Sequence, residues 1–272
     1  MTEPGGGTGS YSLSRRSGEL ERLALQGAVL APETERLLDT IGVAEGWACL
    51  DLGCGPGGIT ATLSDRVGPE GSVTGLDYDP VFVTIAAERA SANTRFIQGN
   101  AYSTGLPAGT FDLVHMRFIA STAGEPERLV AEARRLLRPG GFMAAQESDF
   151  ATLSCYPPDP GWTTLVTAFR SCFPWTADDP EAHRIYRLMR GAGLEDVGYR
   201  PVLVGVRAGD PWADYLPATV ESLRPVILTR GLLTEPVLDA ALAACRAHLA
   251  APDTVFIAPM LVQTWGRVPP HA

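Results

Sequence analysis

The chain has 272 residues, 45% hydrophobic and 19% charged, with a formal net charge of −9. That length can bury a substantial core, in one large domain or a domain with a cap, and the composition is that of a soluble globular protein. The acidic balance excludes a nucleic-acid substrate, which calls for a basic footprint. All 22 basic residues are arginine, which excludes Schiff-base, lysine-anchored pyridoxal and P-loop chemistry.

The first ten residues, Met1 to Ser10, are glycine-rich and are expected to be disordered. Ala48-Cys-Leu-Asp-Leu-Gly-Cys-Gly-Pro-Gly-Gly58 then reads as a buried strand, a glycine-rich turn and a helix over Gly58–Val67. Gly53, Gly55 and Gly58 give the spacing G-x-G-x-x-G, at which the backbone turns sharply and approaches a ligand closely. That spacing alone also suits a dinucleotide. Asp51, two residues before the first glycine, separates the two readings: a carboxylate there opposes a pyrophosphate and favours a ligand with sulfonium and ammonium groups. Cys54 sits inside the turn as a small residue rather than a nucleophile.

Val73-Thr-Gly-Leu-Asp-Tyr-Asp-Pro80 is a second strand ending in Asp77, twenty-four residues after Gly53, where an acid can accept both hydroxyls of a ribose. Tyr78 can lay its ring on an adenine. Asp79 and Pro80 are N-cap and first residue of a helix over Val81–Arg89. Phe96–Ala101 ends a third strand and offers Asn100 to the adenine edge. Phe111–Phe118 is a fourth strand, with His115 a candidate base and Arg117 at its ligand-binding end. A helix over Pro126–Leu137 leads into a fifth strand, Phe142–Glu147, ending in the acid pair Glu147 and Asp149.

Here the chain resembles the class I S-adenosylmethionine-dependent methyltransferases. Asp-Leu-Gly-Cys-Gly-Pro-Gly, Gly-Leu-Asp-Tyr-Asp-Pro and Leu-Leu-Arg-Pro-Gly-Gly are similar to that family's successive motifs, in order and at its spacing, over residues 45–150 and more weakly over 180–208. The resemblance implies S-adenosylmethionine as cofactor. Asp51, Gly53 and Gly55 would line its methionine end, Asp77 its ribose, and Tyr78, Asn100 and Ala101 its adenine. Residues 11–26 look like the lid helix of small-molecule methyltransferases of microbial secondary metabolism, with Tyr11 and Gln26 closing over the cofactor. Two departures stand out: an amide, Asn100, replaces the acid often found there. Ser121 also replaces a histidine often found past the fourth strand, removing one common base.

Beyond Glu147 the pattern changes. Phe150, Tyr156, Trp162, Phe169, Phe173 and Trp175 crowd a proline-rich stretch that reads as cap core and pocket wall, favouring a flat or apolar substrate. Tyr156-Pro-Pro lies after the wrong strand, and in the wrong order, for a DNA amino-methyltransferase. A helix over Pro180–Gly193, a strand over Leu194–Val206, two helices within 211–250 and a last strand over Asp253–Val268 complete the reading. The two helices carry an apolar stripe at Val237, Ala241, Cys245 and Leu249, and the last strand buries Phe256 and Ile257.

The expected fold is α/β: a Rossmann-like, doubly wound seven-stranded sheet, mostly parallel with its final strand antiparallel, under a helical cap. The expected divisions are a lid helix at 11–30, a cofactor-binding core at 31–150, an aromatic cap insertion at 151–180, and the end of the sheet at 181–272 with a helical insertion at about 211–250. The expected activity is methyl transfer to an O, N or C atom of a small, apolar or aromatic metabolite. Glu147, Asp149 or His115 is the base where the acceptor is a carbon or a neutral amine. No metal cluster is expected, since Glu147 and Asp149 lack further ligands at recognisable spacing.

The alternatives are a fold relative that keeps the cofactor without transferring its methyl, as a cyclase or binding protein, and an NAD(P)-dependent oxidoreductase. Five scattered cysteines without a C-x-x-C pair, no leader and no spanning apolar run predict reduced thiols, a cytoplasmic location and no membrane partner. A homodimer is left open.

Overall fold

The computed structural model describes residues 18–120, 124–173 and 181–271. The expected tail at Met1–Ser10, Tyr11, Ser121 and Trp175 lie outside the described residues. Helix α1 spans Glu19–Ile41, running well past the expected end of the lid helix because its second half has a sheet to cover. Leu30, Thr34, Leu37, Leu38 and Ile41 repeat at helical spacing and are all buried. Gly42, in the left-handed conformation, ends the helix by donating to Leu38 and Asp39.

The central sheet is built from β1 (Ala48–Leu52), β2 (Ser72–Asp77), β3 (Thr94–Gln98), β4 (Phe111–Arg117) and β5 (Leu137–Asp149), completed by β7 (Glu195–Val202) and β10 (Met260–Arg267). Its order is β3-β2-β1-β4-β5-β10-β7. β1 to β5 run parallel, while β10 is antiparallel to both β5 and β7. The seven-stranded, mostly parallel sheet with an antiparallel final strand is therefore present, with that strand inside the sheet rather than at its edge. Leu50, Leu52, Leu113, Val114 and Met143 are almost wholly inaccessible, as expected of strands covered on both faces.

Helices α2 (Gly58–Val67), α3 (Pro80–Ala87), α4 (Pro126–Leu136) and α6 (Glu181–Gly191) connect the strands. Asp79 accepts from Val81 N at 2.8 Å, and Pro80 opens α3. The Asp-Pro pair thus acts as a helix start.

Beyond β5 the chain forms a second hydrophobic cluster. Helices α5 (Pro160–Arg170), α7 (Tyr215–Ser222), α8 (Arg224–Thr229) and α9 (Glu235–Leu249) pack with a small antiparallel sheet of β6 (Ser154–Tyr156), β9 (Val255–Ile257) and β8 (Gly205–Arg207). Asp159 caps α5 through Trp162 N at 2.7 Å. The Trp162 and Phe256 rings lie 5.2 Å apart, and Phe150 and Phe169 4.8 Å.

Several expectations need correction here. Residues 211–250 hold three helices rather than two. The strands expected at 194–206 and 253–268 each break in two, and the broken pieces pair in the small sheet. The buried stripe of α9 runs through Leu238, Ala241, Leu242, Cys245 and Leu249, while Val237 is exposed. Alternation along β9 buries Phe256 and turns Ile257 outward.

Candidate active site

The carboxyl ends of β1, β2 and β4 open into a cavity of about 720 Å³, with α1 along its other side. Open parallel sheets bind ligands at this end, where the strand order reverses. The reversal here lies between β1 and β4.

Asp51 is at the end of β1 and reaches the cavity while almost wholly buried. Thr60, on α2, donates to its Oδ2 at 2.6 Å, and His115 Nδ1 lies 3.6 Å from its Oδ1. The carboxylate is thus held from both sides.

After Asp51 the chain turns through Gly53 (φ +78°), Gly55 (φ +51°) and Gly57 (φ +91°). A Cβ at Gly53 would stand 2.8 Å from the Ile119 side chain, whereas one at Gly55 would meet no protein atom within 4 Å. The turn's third glycine is Gly57, not Gly58. A Cβ at Gly57 would press on Ala86 and Phe96 at 3.2 and 3.3 Å, while Gly58 already belongs to α2 and has open space around it. Cys54 lines the cavity with its thiol pushed well above the ordinary range by burial, assisted by the Asp51 and Asp77 carboxylates. It stays protonated, as a small wall residue.

Asp77, at the end of β2, accepts from Gly55 N at 2.8 Å and from Asp79 N at 2.9 Å. One carboxylate therefore ties the glycine turn to the start of α3. Each oxygen keeps a lone pair for a ligand, and burial raises its pKa. Tyr78 lines the same wall and is 58% exposed, a ring offered to a ligand rather than to a core. Asn100 and Ala101 flank it; Asn100 Oδ1 accepts from Tyr102 N at 2.9 Å. On α1, Gln26 is buried and faces the cavity beside Gly27.

Arg117 ends β4 inside the cavity. Burial lowers its pKa to about 10, opposed by the Asp51 carboxylate. It remains a cation at neutral pH.

The three base candidates are not on this wall. His115 is fully buried beneath Asp51, its Nε2 3.2 Å from Gln146 Oε1. Glu147 is 1% exposed and accepts from Ala120 N at 2.9 Å. Asp149 accepts from Ala151 N at 2.9 Å and pairs with His183 Nε2 at 3.1 Å. Glu147 and Asp149 are expected on the substrate side because they stand at a strand's carboxyl end. In the fold, their hydrogen bonds go to Ala120 N, Ala151 N and His183, while His115 contacts Asp51 and Gln146 within the sheet.

Sequence reasoning missed Thr34, Thr60 and Gln146, which hold Asp51 and His115 in place, and Phe118 and Ile119, which line the cavity. Threonines nine residues after and seventeen residues before Asp51 carry no local signal; only the packing of α1 and α2 brings them in. Among the described residues, no group of three His, Cys, Asp or Glu is placed to hold a metal ion. No described helix is long and apolar enough to cross a membrane.

The residues fit S-adenosylmethionine on this geometry. Two carboxylates border a turn whose open glycine faces the cavity, acceptors suited to a cation and ribose hydroxyls rather than to a diphosphate. Comparison with known proteins agrees. Residues 49–141 match the methyltransferase domain family. The demethylmenaquinone methyltransferase of Lactococcus lactis is 34% identical over 187 residues, covering 61% of this chain and 72% of that protein.

Among solved structures, phosphoethanolamine N-methyltransferase 2 of Haemonchus contortus, in complex with phosphomonomethylethanolamine and S-adenosylhomocysteine, superposes with a TM-score of 0.55 at 16% identity. The match covers 88% of this chain and 52% of that one. The [4+2]-cyclase SpnF superposes with a TM-score of 0.52 at 19% identity, over 88% of this chain and 81% of that one. These structural likenesses concern the fold.

Proposed function

The chain belongs to the class I S-adenosylmethionine-dependent methyltransferases, and from that premise we propose that it methylates a small, flat and largely apolar acceptor at oxygen, nitrogen or carbon. The observation that carries this reading is the mixed lining of the cavity. Asp51 and Asp77 border it together with apolar side chains that include Leu20, Leu23, Phe118 and Ile119. The carboxylates suit the cofactor, and the apolar side chains suit an acceptor of matching character. The demethylmenaquinone methyltransferase relative supports an aromatic acceptor, since its name describes a quinone-type substrate.

When bound, S-adenosylmethionine supplies a methyl carbon made electrophilic by the sulfonium. In this assignment Asp51, fixed by Thr60, faces the ammonium at the methionine end, with Gly53, Cys54 and Gly55 as the close backbone wall. Asp77 accepts the ribose hydroxyls with the lone pairs that Gly55 and Asp79 leave free. Tyr78 stacks on the adenine, with Asn100 and Ala101 at its edge. Gln26 and the rest of α1 exclude water from the transfer, and Tyr11 would join them. The protein's kinetic contribution is alignment of the acceptor in a dry cavity, the effect that converts an encounter into an intramolecular step.

The test is transfer of labelled methyl from the cofactor to a panel of hydroxylated naphthalenes and quinols. Label in the acceptor supports the proposal. Tight S-adenosylhomocysteine binding with no transfer to any of them would favour a non-methylating role on the same fold.

A further inference from the structure

We propose that Arg117 is the cavity's oxyanion-binding residue, taking a planar carboxylate or an ionised hydroxyl beside Asp51. The inference rests on the methyltransferase reading and deepens it at one residue.

Arg117 lines the cavity from the end of β4. No hydrogen bond or ion pair joins its guanidinium to any described residue; its one recorded contact is with the Phe118 ring, at 5.8 Å. The nearby acid that its charge feels, Asp51, is already engaged by Thr60 and His115. On the α1 side stands Gly27, where an added Cβ would be 3.8 Å from an Arg117 terminal nitrogen.

Arg117 is partly buried in the cavity wall, and a cation partly withdrawn from water is normally paired. Here the partner has to come from the ligand. A guanidinium recognises planar oxyanions through two parallel N–H donors, which a lysine cannot reproduce. The chain has no lysine, and the other arginine on the cavity wall, Arg89, is exposed at its rim.

Two ligands could bring that oxyanion. One is the cofactor's own amino acid, whose ammonium and carboxylate would match Asp51 and Arg117 side by side. The other is an acceptor whose hydroxyl ionises in the cavity. A cation next to such a hydroxyl favours its charged form, so an acidic acceptor would need no carboxylate base. Both demand the same chemistry of Arg117, and the experiment tells them apart.

Wild-type protein, Arg117→Met and Arg117→Lys are titrated with S-adenosylhomocysteine, with its decarboxylated analogue and with 5′-methylthioadenosine. Inhibition of the wild type and both variants by 1-naphthol is measured above and below its ionisation, against naphthalene as the uncharged control. If the cofactor carboxylate is the ligand, Arg117→Met weakens S-adenosylhomocysteine tenfold or more and leaves the decarboxylated analogue unchanged. If the acceptor supplies it, all three nucleosides bind as before, and the preference for ionised over neutral naphthol disappears. Arg117→Lys should show the same pattern with a smaller loss, and it serves as the reading should the methionine variant not fold.

Unchanged behaviour towards every probe, or equal losses for all three nucleosides, overturns the proposal. Failure of the wild type to bind any of the three nucleosides would instead overturn the cofactor reading on which it rests.

Discussion

His115 lies with Nδ1 3.6 Å from Asp51 Oδ1 and Nε2 3.2 Å from Gln146 Oε1, so the histidine bridges the acidic strand end to a buried amide. Gln146 Oε1 is also 3.0 Å from the Thr34 hydroxyl, which lies 3.3 Å from Leu30 O. As placed, His115 Nδ1 and Gln146 Nε2 are buried without hydrogen-bond partners. We assign the amide in the opposite sense, since its oxygen and nitrogen are distinguished only by their partners. Gln146 then donates to both Thr34 and His115, Thr34 donates to Leu30, and the remaining imidazole proton points at Asp51. A chain of polar contacts thus runs from α1 to the Asp51 carboxylate in the cavity wall.

His115 in this setting contacts Asp51 and lies outside the cavity wall, which makes it a positioning residue on the proposed reading. Replacing it by glutamine should weaken S-adenosylhomocysteine binding several-fold while leaving the pH dependence of kcat unchanged. A general base would behave differently, with loss of about 10²–10⁴ in rate. Steady-state kinetics across pH, with titration of the cofactor product, separates the two.

On the proposed assignment, Asp77→Ala should cost about 2–4 kcal/mol of cofactor affinity, because the ribose would lose charge-assisted acceptors and Gly55 N loses its own. The wild-type site should also respond to pH. Burial raises the Asp77 pKa, and only the ionised carboxylate accepts from both hydroxyls. Affinity should therefore fall as pH drops through that raised value, earlier than the ordinary aspartate range near 3.9 would give. Calorimetric titration between neutral and mildly acidic pH is the measurement.

The glycine turn yields a paired prediction. Gly57→Ala puts a Cβ into the left-handed region and against Ala86 and Phe96, so it should destabilise by about 1–3 kcal/mol. Gly58→Ala, in the first turn of α2 with open space around it, should be neutral or stabilise by about 0.4–1 kcal/mol. Urea unfolding of the free proteins would reverse this order if the motif's spacing, rather than the backbone, identified the third glycine.

That example marks what the sequence carries and what it does not. Asp51, Asp77, Asp79 and the glycine turn were legible because strand end, turn and helix start are local, and each leaves its own residue types behind. The seven-stranded, mostly parallel sheet with an antiparallel final strand was expected, but the strand order, with β10 between β5 and β7, was not. The hydrogen-bond partners of Glu147 and Asp149 were not legible, because a strand end places a carboxylate near the ligand side without saying whether it is already engaged. Ala120 N, Ala151 N and His183 take them. Those partners come from other elements and leave no mark on neighbouring residues. The division of 211–250 into three helices was hidden for a similar reason: Pro225 opens α8 directly after α7 rather than ending a helix.

Glu132 ties the segment after β3 to α4. Arg135 donates to both its oxygens at 2.7 Å, and Thr104 donates through its backbone and hydroxyl at 2.9 and 2.6 Å. The Arg135 hydrogen bonds, with those of Thr104, hold its pKa down to about 2. A carboxylate depressed in the folded state contributes stability that is complete above its unfolded pKa, near 4.3, and lost as pH falls through about 2. Arg135 is substantially exposed, so screening reduces the contribution to about 1–2 kcal/mol. Glu132→Gln should be less stable than wild type by that amount at pH 7, and the gap should close between pH 4 and 2 in chemical unfolding.

Glu147 offers the sharpest separation of structure from catalysis. It is 1% exposed and its Oε1 accepts from Ala120 N, at the point where the chain leaves β4. Glu147→Ala removes that acceptor from a buried donor and should destabilise by about 1–3 kcal/mol. Glu147→Gln keeps an acceptor of the same shape and should cost less. If the side chain only fixes the loop, the glutamine variant retains the wild-type acceptor KM and the same pH profile of kcat. A rate loss in the glutamine variant, with stability and KM unchanged, would return Glu147 to the role of base.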